Sequence, residues 1–351
     1  MLQAMQLALA QPGSPPLDVR DTGSTPDGAA AAARAALANG DGLILGPLTA
    51  GETAAVAPVA QGASVPVLAF TSDSAQGRPG VWPLGITPEQ QVRRLAGAVQ
   101  AEGKMRIAAV LPQNAFGDAL ARGLTEATVG GAVVAAKVDR YTPSDFASLD
   151  AAMKDVADYS NRRGAIEARQ QAADAANDPA GRRAAALVGQ ETPPPAPFDA
   201  LLLGAVADQL VEATPLLAAY DIRPDQVRIM GPALWARDAA RLPPLAGSWF
   251  AAPDPSTRQP FVDAFSAKYG APPPPLASLA YDAAGLARVS AGPAGFDARG
   301  LQRPEGFAGS DGVLALMPDG LVRRGLAIFE VDAGGSHVVE PAPQTLGAPG
   351  V

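Results

Sequence analysis

Gly42-Leu43-Ile44-Leu45-Gly46-Pro47-Leu48-Thr49-Ala50-Gly51 and Val65-Pro66-Val67-Leu68-Ala69-Phe70-Thr71-Ser72-Asp73-Ser74 are two apolar runs that end alike, each in a turn of small and hydroxylated residues. Between them lies an alanine-rich stretch, Glu52 to Gln61, that reads as a helix. Strand, hydroxylated turn, helix, strand, hydroxylated turn is how a parallel sheet presents a ligand, just beyond the carboxyl ends of its strands. The same turns expose N–H groups at helix starts, where carboxylate or phosphate is favoured. The pattern predicts an α/β protein that binds a small molecule or a partner.

The alternation continues outward. Met1 to Ala10 has the apolar spacing of an amphipathic helix, stopped by Pro12-Gly13-Ser14-Pro15-Pro16, and with no basic leader it makes a poor signal peptide. A helix opening a chain that otherwise alternates strand and helix leads to the expectation that a first strand is missing. Leu17 to Asp21 reads as a strand and Pro26 to Asn39 as a helix, with Ser24 or Thr25 as its cap. Further on come an apolar run at 81–85, a helix from Thr87-Pro88 to Glu102, a strand from Met105 to Leu111, a helix from Asn114 to Val129 and a strand from Ala132 to Tyr141.

Residues 145–190 are rich in Ala, Arg, Glu and Gln, and are expected to form a long solvated helix or a helical hairpin, a decorated surface or a partner-docking element. Strands follow at 198–205, 227–231 and 248–252, the first trailed by a helix through Tyr220, with helices at 260–269 and 276–290. Gly312–Met317 and Gly325–Val331 are expected to pair around Pro318-Asp319-Gly320, and the tail from Ala333 to be disordered.

With 351 residues, 48% of them apolar, the chain is long enough for two domains with sizeable cores. A net charge of −8 and the lack of any Lys/Arg cluster argue against a nucleic-acid partner. There is no cysteine, so disulfides and thiolate metal sites are excluded. The single histidine, His337, lies in the expected tail, which removes Ser-His-Asp and Cys-His hydrolysis. Gly23 to Gly28 lacks the Gly-Lys-Ser/Thr ending of a phosphate loop. No catalytic residue, cofactor or metal is expected.

The order Gly46-Pro47 with Thr49, Pro66-Val67-Leu68 with Thr71-Ser72, Arg106-Ile107-Ala108-Ala109-Val110 followed by Phe116-Gly117, Phe198-Asp199-Ala200, and Leu279-Ala280-Tyr281-Asp282-Ala283 resembles the type I periplasmic binding protein fold of the leucine/isoleucine/valine receptors. The resemblance implies two doubly wound parallel-sheet lobes joined by three hinge crossovers, near 84–87, 251–255 and 309–316. Lobe 1 would take 1–85 and 255–310, and lobe 2 would take 86–253 and 311–332 with the helical insertion 145–190, leaving 333–351 as the tail. It implies ligand contacts at Thr49, Ala50, Ala69, Phe70, Thr71 and Ser72 from one lobe, and at Phe116, Gly204 and Ala205 from the other.

Within that fold, Tyr220-Asp221-Ile222-Arg223-Pro224, Gly247-Ser248-Trp249-Phe250-Ala251-Ala252-Pro253 and Gly306-Phe307-Ala308-Gly309-Ser310-Asp311-Gly312 are similar to the penicillin-binding protein activator lipoproteins. That likeness implies a periplasmic, non-enzymatic protein with a cell-wall synthase as partner, anchored to a membrane only through an upstream lipidated cysteine outside this chain. The alternative is the solute receptor of an ABC importer, with a permease as partner and an amino acid or small amphiphile as ligand.

Overall fold

The computed structural model describes residues 1–292 and 296–346. In chain order the described helices and strands are α1 (Leu2–Ala8), α2 (Pro26–Ala38), β1 (Ile44–Leu45), α3 (Ala50–Gly62), β2 (Val67–Ala69), β3 (Val81–Pro83), α4 (Pro88–Ala101), β4 (Arg106–Pro112), α5 (Ala115–Val129), β5 (Val134–Tyr141) and α6 (Phe146–Val156). Then come α7 (Tyr159–Asp174), α8 (Pro179–Gly189), β6 (Ala200–Leu203), α9 (Asp208–Ala219), β7 (Arg228–Gly231), β8 (Trp249–Ala252), α10 (Pro255–Tyr269), α11 (Ala277–Ser290) and α12 (Ala298–Leu301). Five strands close the order: β9 (Phe307–Gly309), β10 (Gly312–Leu316), β11 (Val322–Arg324), β12 (Ala327–Asp332) and β13 (Gly335–Glu340). Side-chain caps fix many helix starts. Thr25 accepts from Gly28 N–H, Asn114 from Gly117 N–H, and Asp145 from the N–H groups of Ala147 and Ser148.

The chain divides into two units, 1–90 with 253–327 and 341–351, and 91–252 with 328–340. In the first unit β1, β2 and β3 form a parallel sheet in that order. Successive β2 side chains face opposite ways, as a pleated strand requires. Leu68 packs with Trp82, Phe261, Phe265 and Leu279, whereas Val67 and Ala69 pack with Ala33, Val56, Ala57 and Val81. A separate antiparallel sheet, β11-β10-β9, is tied to the first by the Trp82 indole N–H, which donates to the Met317 carbonyl at 2.8 Å.

The second unit holds one seven-stranded sheet, β13-β12-β8-β7-β6-β4-β5, parallel from β5 through β8. Leu201, Leu203, Ile229 and Phe250 pack there against Leu149 and Met153 of α6 and Leu210 and Leu217 of α9. Trp235 and Trp249 are core residues, and the Trp235 indole N–H donates to the Ala205 carbonyl at 2.9 Å.

Several expectations are corrected. Leu17–Asp21 carries no strand pairing, because no described strand lies beside it to supply a ladder. Gly312–Met317 meets Gly325–Val331 only at Gly325, whose N–H donates to the Val313 carbonyl at 2.8 Å. Instead β10 bonds to β9 and β11 in the first unit, while β12 joins the second unit's sheet through bonds of Val331 to Gly247 and Ser248. Residues 311–327 therefore lie in the first unit and not with lobe 2.

The tail is not disordered from Ala333. Residues 335–340 pair antiparallel with β12, and Ala342 is 3% exposed with its N–H on Asp254, while residues 347–351 lie outside the described residues. His337 is exposed, but it sits in β13 beside Asp332. Of residues 145–190, only α7 and α8 form the polar hairpin; α6 buries Leu149, Met153 and Val156 against the sheet. Helix α10 starts at Pro255, five residues before the expected Pro260, because Asp254 caps it through Ser256 N–H.

Candidate functional site

The two hydroxylated turns lie at neighbouring strand ends of the first unit. Ile44 pairs with Val67 and Leu45 with Leu68, and the turns themselves are joined by Phe70 N–H donating to the Pro47 carbonyl at 2.8 Å. Thr49, Ala50, Ala69, Phe70, Thr71 and Ser72 are thereby brought together, and they do different things.

Thr49 is committed to helix α3. Its hydroxyl accepts from Glu52 N–H at 3.2 Å and donates to the Glu52 carboxylate at 2.8 Å, and the same carboxylate accepts from Thr49 N–H at 3.2 Å and the Thr22 hydroxyl at 2.7 Å. This is a capping box, legible in the sequence as Thr49-x-x-Glu52. Burial pushes the Glu52 carboxyl up, but the Thr22 and Thr49 bonds outweigh it and hold the carboxyl below its ordinary range. The resident anion already answers the positive end of α3.

The second turn is freer. Thr71 is 7% exposed and its hydroxyl oxygen accepts from Asp73 N–H at 3.1 Å, which leaves the hydroxyl proton free to donate. Its carbonyl accepts from Gly85 N–H, which pins the turn to the segment after β3. Ser72 is exposed beside it. Ala69 and Phe70 are core residues, with the Phe70 ring covering Gly46. Ala50 is half-buried at the first position of α3.

In the second unit Phe116 is half-buried in the first turn of α5. Gly204 follows β6, where a Cβ would stand 2.9 Å from Pro112 and 3.1 Å from Leu111 and Leu120, so its lack of a side chain serves helix-on-sheet packing. Ala205 is fully buried, and its carbonyl is occupied by Trp235.

The Thr71 hydroxyl, which accepts from Asp73 N–H, keeps a proton that can be donated. Among the described residues no cluster of three or more His, Cys, Asp or Glu side chains is placed to hold a metal, and no helix is long and apolar enough to cross a membrane.

A family model described as periplasmic binding protein matches residues 16–288. The fold is similar to that of a branched-chain amino acid ABC transporter periplasmic ligand-binding protein from Burkholderia xenovorans (TM-score 0.65, 15% identity, 99% of this chain and 90% of that one). It is also similar to an ABC transporter substrate-binding protein from Desulfitobacterium hafniense in complex with Leu (0.58, 17%, 96% and 95%). A third similar structure is an ABC transporter solute-binding protein from Rhodopseudomonas palustris in complex with 3,4-dihydroxybenzoic acid (0.56, 18%, 99% and 93%). No curated protein matches the sequence.

Proposed function

Because the chain belongs to the periplasmic binding protein family, we propose that it is the periplasmic solute receptor of an ABC importer, taking an amino acid or a small amphiphilic acid. The observation that supports this most is the Thr71–Ser72 turn, at the carboxyl end of a parallel strand and with an undonated hydroxyl proton beside solvent. The Glu52 carboxylate at the start of α3 repels a second anion there. A ligand carboxylate is therefore held by the Thr71 hydroxyl and the Ser72 hydroxyl and N–H, with Thr49 and Ala50 bordering the site. The relatives' ligands, leucine and an aromatic acid, set the class of probe.

Thermal-shift titration with leucine, isoleucine and benzoate tests the reading. A saturable rise in Tm that Thr71→Val removes supports it; no rise with any probe overturns it. A second reading, an activator of a cell-wall synthase, rests on the resemblance at 220–224, 247–253 and 306–312. Capture of a penicillin-binding protein from envelope extract, surviving in Thr71→Val, would favour that reading.

A further inference from the structure

Strand β5 stands at one edge of the second unit's sheet and pairs only with β4. It is eight residues long, and Val134, Ala135, Ala136 and Val138 are exposed, whereas β4, β6, β7 and β8 of the same sheet are almost wholly buried. Long edges are usually shielded by proline or by a charge that reaches outward. This edge has no proline, and its one lysine is drawn back onto α6. Lys137 Nζ lies 2.6 Å from Asp155 Oδ2 and donates to the Asp155 carbonyl at 3.0 Å. The register irregularity between β4 and β5 is confined to the Val134 end, so Lys137 to Tyr141 run as a regular strand.

Pairing with β4 decides which backbone groups are free. The Tyr141 carbonyl accepts from Gln113 N–H at 2.8 Å, so Tyr141 and, alternating back along the strand, Asp139 and Lys137 bond inward. The N–H and C=O of Val138 and Arg140 therefore face away from the sheet, and no described residue bonds to them. A two-fold axis sets two copies of such an edge antiparallel, and outward residues must then meet outward residues. Centring the axis on Val138 places each Lys137 opposite the second copy's Asp139. Pairing Val138 with Arg140 would set Asp139 against Asp139, and centring on Arg140 would set two guanidiniums against each other.

Asp139 lacks the partner that the first register supplies. Its Oδ2 is buried without a hydrogen bond from any described residue, and Lys137 Nζ of the same chain stops 3.8 Å away. The flanks suit the same axis. Val129, at the end of α5, and Val134 are exposed at one end of β5, and Phe146, at the start of α6, is exposed at the other. Antiparallel pairing brings the Val134 end of each copy beside the Phe146 end of its mate.

We infer that the chain forms a two-fold dimer through its β5 edges, in the register centred on Val138, so that the second unit's sheet continues into that of a second copy. The interface belongs to the second unit alone and does not depend on the receptor reading.

Sedimentation equilibrium of the full chain over a concentration series tests this, and a monomer–dimer equilibrium is expected. Val138→Pro removes an outward N–H and keeps the ladder to β4. It should weaken the dimer about tenfold, through two lost backbone bonds, with an unchanged circular dichroism spectrum. Lys137→Asp and Asp139→Lys should each weaken self-association, because like charges then face each other. Mixing these two variants should restore a dimer with one chain of each. A chain that stays monomeric at every concentration, a dimer that Val138→Pro leaves unchanged, or charge variants that do not associate when mixed would each overturn the proposal.

Discussion

Arg324 Nη1 lies 3.7 Å from Asp282 Oδ2 inside the first unit, with the two side chains 0% and 2% exposed. Arg324 also donates to the Leu84 carbonyl at 2.9 Å, and Asp282 accepts from the Ser310 N–H and hydroxyl at 2.6 and 2.8 Å. The pair joins α11, β11 and the segments at 84 and 310, which are far apart in the chain. Burial pushes the Asp282 carboxyl up, against the Arg324 charge and the Ser310 bonds that favour its ionised form.

Removing one partner leaves the other charged and alone in the core. Arg324→Met should destabilise the protein by about 3–5 kcal/mol, and Arg324→Met with Asp282→Leu by clearly less, since an apolar pair removes the uncompensated charge. Urea unfolding of the two single variants and the double variant measures the coupling.

Arg162 in α7 is a second buried cation, and it holds no carboxylate. Its guanidinium donates to the carbonyls of Pro194 (2.7 Å), Ala157 (2.9 Å), Tyr220 (3.1 Å) and Asp221 (3.1 Å), fastening the polar hairpin to the second unit. Arg162→Met orphans these acceptors. A loss of about 3 kcal/mol is expected, with hydrogen exchange accelerating first in α7 and α8.

The two turn hydroxyls are predicted to part company. Thr49→Ala removes the cap of α3 and should cost about 1 kcal/mol in urea unfolding while leaving a leucine-induced thermal shift in place. Thr71→Val should do the reverse, with near-native stability and no leucine shift.

Asp199 sets an acid-side limit. It pairs with the Arg106 guanidinium at 2.9 Å and accepts from the N–H groups of Arg106 and Met105. The Arg106 side chain first, then these backbone bonds, hold its carboxyl below the ordinary range against the opposing effect of burial. A depressed folded-state pKa contributes stability that is fully present above the unfolded value of about 3.9 and is lost as pH falls through the folded value. Asp199→Asn should therefore flatten the pH dependence of stability below about pH 4, measured by urea midpoints between pH 2 and 6.

Local signals were readable wherever one residue and its near neighbours decide the outcome. Thr25, Asn114 and Asp145 cap their helices within three residues of themselves, and the turns after β1 and β2 follow from short patterns. The Thr49-x-x-Glu52 spacing was equally visible and shows Thr49 to be a cap residue, although the hydroxyl alone suggested a ligand contact. Pairing was not readable. Leu314 meets Arg324 and Phe307, while Ala327 to Asp332 leaves for another sheet, and apolar alternation cannot distinguish these choices.

The sequence by itself determined the βα alternation, the absence of cysteine chemistry and the hydroxylated turns, because periodicity, composition and capping act over a few residues. Only the tertiary structure decided that residues 335–340 form a strand, that Arg324 meets Asp282, and that Arg162 fastens α7 through four carbonyls. Each of these depends on which distant segment covers a given backbone or charge. A chain settles that only when its elements pack and every buried polar group must find a partner.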